Sequence, residues 1–141
     1  VIQKPLSCCD ILKISDNEIQ WLTGETDFTD GVRWINKRYS IPLILVSMGR
    51  DGSRAYYQDR VVEAASFIQK NTIETTGAGD TFCACVLHYI LEHGLKNLDE
   101  KGITEMLTYA NAAASIITTR KGALRVMPKA EEIEKLIASR G

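Results

Sequence analysis

The sequence lacks an excess of charge of either sign: 17 Lys and Arg stand against 18 Asp and Glu in 141 residues, a formal charge of −1. There is no basic surplus to coat a nucleic-acid backbone, so any phosphate recognised by this chain must be met by local geometry. Long apolar runs are missing as well. None approaches the roughly 18–20 residues needed to span a bilayer, so no membrane partner is expected. The opening VIQKPLSCCD has no sustained apolar segment of the kind a secretory signal carries, and its start at Val1 rather than Met points to sequence missing upstream. The four cysteines make no framework: Cys8 and Cys9 are adjacent, Cys83 and Cys85 are two apart, and neither pair has C-x-x-C spacing. They read as reduced thiols of a cytoplasmic protein. The two histidines, His88 and His93, are five residues apart and poorly matched to one helix face, so both read as structural. With 45% hydrophobic and 25% charged residues, disorder and collagen-like repeats are excluded too.

What is present has the composition of one soluble domain. If compact, a chain of this size would leave roughly 7,300 Å² exposed out of about 22,800 Å² when extended, which permits a core. Asp10–Ser15 reads as a short strand running into a helix with Asp16 as N-cap and Gly24 just past its end. A second helical pattern covers Asp27 to Tyr39, and Trp21 and Trp34 at helical positions read as core or groove-lining residues. Pro42–Met48 is a consecutive apolar run, as expected of a strand buried on both faces in a parallel sheet. An Asp51-Gly52 turn leads to strands at Ser53–Gln58 and Arg60–Ala65. Helices are predicted from about Gly79 to His93, Ile103 to Thr119, and Lys129 to Ser139. Strands alternating with helices indicate an α/β fold.

The segment that carries chemistry is Glu74-Thr75-Thr76-Gly77-Ala78-Gly79-Asp80-Thr81-Phe82, directly before a helix that is apolar nearly all round. Such a helix belongs at the centre of a fold, with its N-terminus aimed inward. Free backbone N–H groups and the positive end of the dipole meet there, and Gly77, Ala78 and Gly79 let an anion approach. Asp80 puts a carboxylate beside that anion hole. One reading is a base that takes a proton from a hydroxyl attacking a bound phosphoryl group. The other is a glycine-rich helix entry capped by Asp80, and the residues alone leave both open. A dinucleotide fingerprint fails because Phe82 stands where its last glycine is needed. A Walker A loop fails because Gly79 is followed by Asp80 instead of Lys.

Thr75-Thr76-Gly77-Ala78-Gly79-Asp80-Thr81-Phe82 resembles the C-terminal signature of the ribokinase-like (PfkB) family of carbohydrate kinases. Ser15-Asp16-Asn17-Glu18 with Leu22-Thr23-Gly24, Ser47-Met48-Gly49-Arg50-Asp51-Gly52, Ala110–Ala114, and Lys121-Gly122-Ala123 before Pro128 resemble further family segments in the family's order. The resemblance implies the C-terminal part of a three-layer α/β/α fold with a mainly parallel sheet. It implies ATP as phosphoryl donor, a sugar as acceptor, Asp80 as base, and Gly77 to Asp80 as anion hole. Ser15, Ser47, Gly49, Gly52 and Asn111 would line the nucleotide site, with Asn111 near adenine. Glu18 would hold Mg²⁺ through water. Backbone carbonyls around Glu74, Thr76, Thr118 and Lys121 would surround a potassium-like cation. Glu74 replaces the family's usual Asp, and Ser15 stands where many members have Asn, as fructokinase-like branches often do.

Family members are about twice this length, and their N-terminal half supplies the first strands, the lid and most sugar contacts. Residues 1–141 are therefore expected to be the ATP-side half of one domain: inactive alone, and either partner-dependent, oligomeric (a homo-oligomer in the complete protein) or a cleaved remnant. The alternative from another class is a non-catalytic homologue that binds a nucleotide for regulation.

Overall fold

In the computed structural model, residues 3–58, 60–67, 77–96, 98–119 and 128–140 are described. Strands β1 (Ile11–Ser15), β2 (Leu43–Ser47), β3 (Ser53–Tyr57) and β4 (Arg60–Ala64) form one sheet in that order. The helices are α1 (Gln3–Leu6), α2 (Asp16–Thr23), α3 (Phe28–Tyr39), α4 (Ala78–His93), α5 (Glu100–Ile117) and α6 (Ala130–Arg140). No helix among the described residues is long and apolar enough to cross a membrane.

Side chains alternate across a strand, and here the alternation sorts two cores. Leu43, Leu45, Ala55, Tyr57 and Val62 point to one face, where they pack with Phe82 and Val86 of α4 and Ile103, Met106, Leu107 and Ala110 of α5. Ile14, Ile44, Val46 and Tyr56 point to the other, against Ile19 of α2 and Val32 and Ile35 of α3. Helices thus cover both faces, giving three layers. A third cluster joins Phe67, Ala112, Ala113 and Ile116 to Ile133 of α6.

The first four residues of β2 are buried, as its apolar run predicts. Its pairing is more mixed than expected, because only β1–β2 is parallel and β2–β3 and β3–β4 are antiparallel. Connections this short can only reverse the chain, whereas the β1–β2 crossover has α2 and α3 to bridge it. Helix starts shift toward the residue that caps them. Ser15, not Asp16, caps α2, and Asp99 starts α5 three residues ahead of Ile103 by accepting the Gly102 N–H. Trp34 is half-buried under the Arg38 guanidinium, but Trp21 is 73% exposed, contrary to its core reading.

Helix α4 also departs from expectation. One face packs on α5 and the sheet, while Leu87 and Leu91 on the other are 49% and 85% exposed. Apolar composition all round required a partner on each side, and the described residues supply it on one.

Candidate active site

The sheet register sets one edge of the site. Ser15 pairs with Ser47, Ser47 with Ser53, and Ser53 with Ala64, a row across all four strands at the carboxyl ends of β1 and β2. Lys13 is two residues before Ser15 and in register with Leu45, so it faces the α4–α5 side. A cavity of about 610 Å³ opens here, within the usual range of small-molecule sites. The sheet gives it Lys13, Ser47 and Ser53, and the turn at Gly49–Asp51 gives Gly49 and Arg50. Gly52, Phe67, Ala78 and Gly79, Phe82, Asn111 and Thr118 complete most of the wall.

Two glycines shape this wall. Gly77 holds φ +85° as N-cap of α4 and offers no side-chain cap, and the first helical bond runs from the Thr81 N–H to the Gly77 carbonyl. The N–H groups of Ala78, Gly79 and Asp80 therefore precede the helical ladder at the positive end of the dipole. Gly52 holds φ +100°, and a Cβ there would overlap the Ala64 carbonyl oxygen. Its conformation lets β4 pass directly behind the turn. The Ser66 hydroxyl donates to the Arg50 carbonyl and ties the exit of β4 to the same turn.

Charge within the cavity is one-sided. Lys13 and Arg50 line it, and no carboxylate does among the described residues. A chain with a net charge near zero has concentrated two cations and a helix N-terminus in one place. Asp80, next to the lining residue Gly79, is exposed on the first turn of α4. Its charge is felt at Cys83, where burial is the main cause raising the thiol pKa; Lys13 acts there in the opposite sense.

Glu18 is bound into the start of α2. The Ser15 N–H donates to its carboxylate, and this bond is the main cause holding its pKa below the usual value; burial opposes the shift, and the Lys13 charge adds to it. Among the described residues no group of three His, Cys, Asp or Glu could cage a metal. One exposed carboxylate fits Mg²⁺ held through water with phosphates as the remaining ligands, which is how that ion is often bound.

The structure thus brings Ser47, Gly49, Gly52, Ala78, Gly79, Asn111 and Thr118 into one cavity, while Ser15, Glu18, Gly77 and Asp80 lie outside its lining. Glu74, Thr76 and Lys121 fall outside the described residues. Asn111 is 7% exposed, and its Nδ2 donates to the carbonyls of Ala64 and Ala65 at 3.1 and 3.2 Å. Its amide hydrogens therefore clamp α5 to the end of β4. Lys13, Arg50, Ser53, Phe67 and Phe82 are lining residues that the sequence reading did not single out. A lone Lys inside the apolar DILKIS segment was the available signal for the first.

A family model described as "pfkB family carbohydrate kinase" matches residues 1–130. Fructokinase-1 of Zea mays is 36% identical over 128 residues, covering 91% of this chain and 39% of that protein. A crystal structure of fructokinase from Vibrio cholerae O395 in fructose, ADP and calcium ion bound form matches with TM-score 0.83 and 25% identity, over 96% of this chain and 43% of that one. Ribokinase of Arabidopsis thaliana, complexed with ribose and ATP, matches with TM-score 0.77 and 28% identity, over 96% and 43%. The chain therefore spans about two-fifths of the relatives it matches.

Proposed function

The chain belongs to the pfkB family of carbohydrate kinases, and from that premise we propose that it forms the nucleotide-holding part of an ATP-dependent sugar kinase. The observation that carries this reading is the cavity itself, where a helix N-terminus, two cations and no described carboxylate converge beside Asp80. A polyanion fits such a site, and apolar Phe67 and Phe82 in the same wall suit a nucleobase. Residues 1–141 then form the ATP-side portion of one ribokinase-like domain, with the acceptor pocket and lid supplied by the rest of the protein. On its own the chain is inactive.

In the proposed reaction an acceptor hydroxyl oxygen bonds to the γ-phosphorus, and the bond to the β,γ-bridging oxygen breaks. ADP leaves, and the hydroxyl proton passes to the Asp80 carboxylate. The Gly77–Asp80 backbone holds the phosphoryl oxygens, with Ser47, Gly49 and Gly52 beside the phosphate chain. Bound Mg²⁺ would neutralise phosphate charge, with Glu18 holding it through water. Thr118, at the C-terminal end of α5, lines the cavity, and backbone carbonyls there, with those of Glu74, Thr76 and Lys121, would surround a potassium-like cation. A hexose acceptor, fructose first, is favoured by the fructokinase relatives and by Ser15. Cytoplasmic location and homo-oligomeric assembly belong to the same proposal; the four free thiols support the first, and the open Leu87–Leu91 face gives the second a surface.

Asp80→Asn in the complete protein tests the reading. Turnover with fructose and ATP should fall by about 10³-fold or more while ATP affinity stays within about threefold. Retained turnover removes Asp80 from the chemistry. ATP binding by the unaltered protein without phosphate transfer to any of a panel of sugars favours a regulatory nucleotide-binding homologue.

A further inference from the structure

We propose that Lys13 is the cation that contacts the phosphate chain of the nucleotide across from the α4 N-terminus. This rests on the kinase reading above and adds a residue to its machinery.

Lys13 sits in the middle of β1, between half-buried Leu12 and buried Ile14, and faces the α4–α5 side in register with Leu45. Its Nζ lies 3.3 Å from the point a Gly79 Cβ would occupy. An ammonium is thus held against the positive end of a helix dipole, in a cavity that also receives Arg50. Among the described residues no carboxylate is within ion-pair distance of it. Glu18 feels the Lys13 charge but does not pair with it, and no described carboxylate lines the cavity, so an anion entering there would meet two cations and a helix N-terminus at once.

A separate observation in the same wall also calls for a ligand. Ser53 is 1% exposed, it lines the cavity, and its Oγ is buried with no hydrogen-bond partner among the described residues. A buried hydroxyl without a partner carries a desolvation penalty that a ligand atom can relieve. Lys13 and Ser53, on opposite sides of β2, border the same space at the carboxyl end of the sheet. A chain of phosphates answers both: charge for the ammonium and the helix terminus, and acceptor oxygens for the hydroxyl. The absence of a side chain at Gly79 lets the Lys13 ammonium come close to the helix N-terminus, so both can face one anion in the cavity.

The test uses the complete protein and a ligand series that differs only in phosphate: adenosine, ADP and ATP, measured by calorimetry with Lys13→Met and Lys13→Arg. For Lys13→Met, adenosine affinity should stay within about twofold, while ADP and ATP weaken by about 10- to 100-fold, the more so for ATP. Lys13→Arg should restore most of the loss, and thermal unfolding of Lys13→Met should not be lowered. ATP binding equal to the unaltered protein overturns the proposal, as does an equal loss for adenosine and ATP, which would mark Lys13 as structural. If the unaltered protein binds no ATP, the kinase reading fails first; if it binds and turns over ATP while Lys13→Met does the same, only the Lys13 assignment fails.

Discussion

Ser15 and Glu18 close on one another at the start of α2: the Ser15 N–H donates to Glu18 Oε2 at 2.7 Å, and the Glu18 N–H donates to Ser15 Oγ at 3.3 Å. This reciprocal cap also fixes a carboxylate at the carboxyl end of β1, beside the row of serines. Structure and proposed chemistry can be separated by substitution. Ser15→Ala should cost about 1 kcal/mol of stability in chemical unfolding. Glu18→Gln keeps an oxygen acceptor for the Ser15 N–H and should cost less, yet reduce Mg²⁺-dependent turnover by at least about tenfold. Unchanged turnover in Glu18→Gln would reduce Glu18 to a helix cap.

The same contact sets a pH dependence. The Ser15 N–H binds the charged carboxylate best, so the native state keeps Glu18 ionised to lower pH than the unfolded chain does. Its contribution is complete above the ordinary carboxylate value of about 4.3 and is lost as pH falls through the lowered native value. The stability difference between the unaltered protein and Glu18→Gln, measured by urea unfolding, should therefore be constant near neutrality and narrow below about pH 4. A difference that widens on acidification would reverse the assigned sign.

Gly52→Ala should be the most damaging single change in the turn that lines the cavity. At φ +100° an alanine is strained, and its Cβ would overlap the Ala64 carbonyl while meeting the Ser66 nitrogen at 2.9 Å. Both obstacles are backbone, so no rotamer relieves them. We expect a loss of roughly 2–4 kcal/mol, read by thermal or urea unfolding. A variant as stable as the unaltered protein would contradict the geometry.

The elements were legible because their signals are local. The period-two pattern of β1, the unbroken apolar run of β2 and the Asp51-Gly52 turn each lie within a few residues. The glycine-rich start of α4 was legible for the same reason, and it does line the cavity. What escaped depends on partners distant in sequence. Lys13 looks like an ordinary charge in a short strand until register puts it beside Gly79. The row of Ser15, Ser47 and Ser53 exists only once three strands are aligned. Asn111 lines the cavity, and its amide hydrogens bond the carbonyls of Ala64 and Ala65, 47 and 46 residues away, a tie no local pattern records. The open outer face of α4 is not legible in composition, which records that a helix is apolar and not which neighbours cover it.

Four positions of the cavity wall, Gly49, Gly52, Ala78 and Gly79, present mainly backbone. Natural variation acts on side chains, and these positions offer almost none to vary. Phe67, Phe82, Ala114 and Ser115, in the same cavity, offer several. Exchange of side chains, Lys13 and Arg50 among them, can therefore reshape one part of the cavity, while the part formed by backbone changes little. The evolvable and the fixed parts of the site are divided between side chain and backbone.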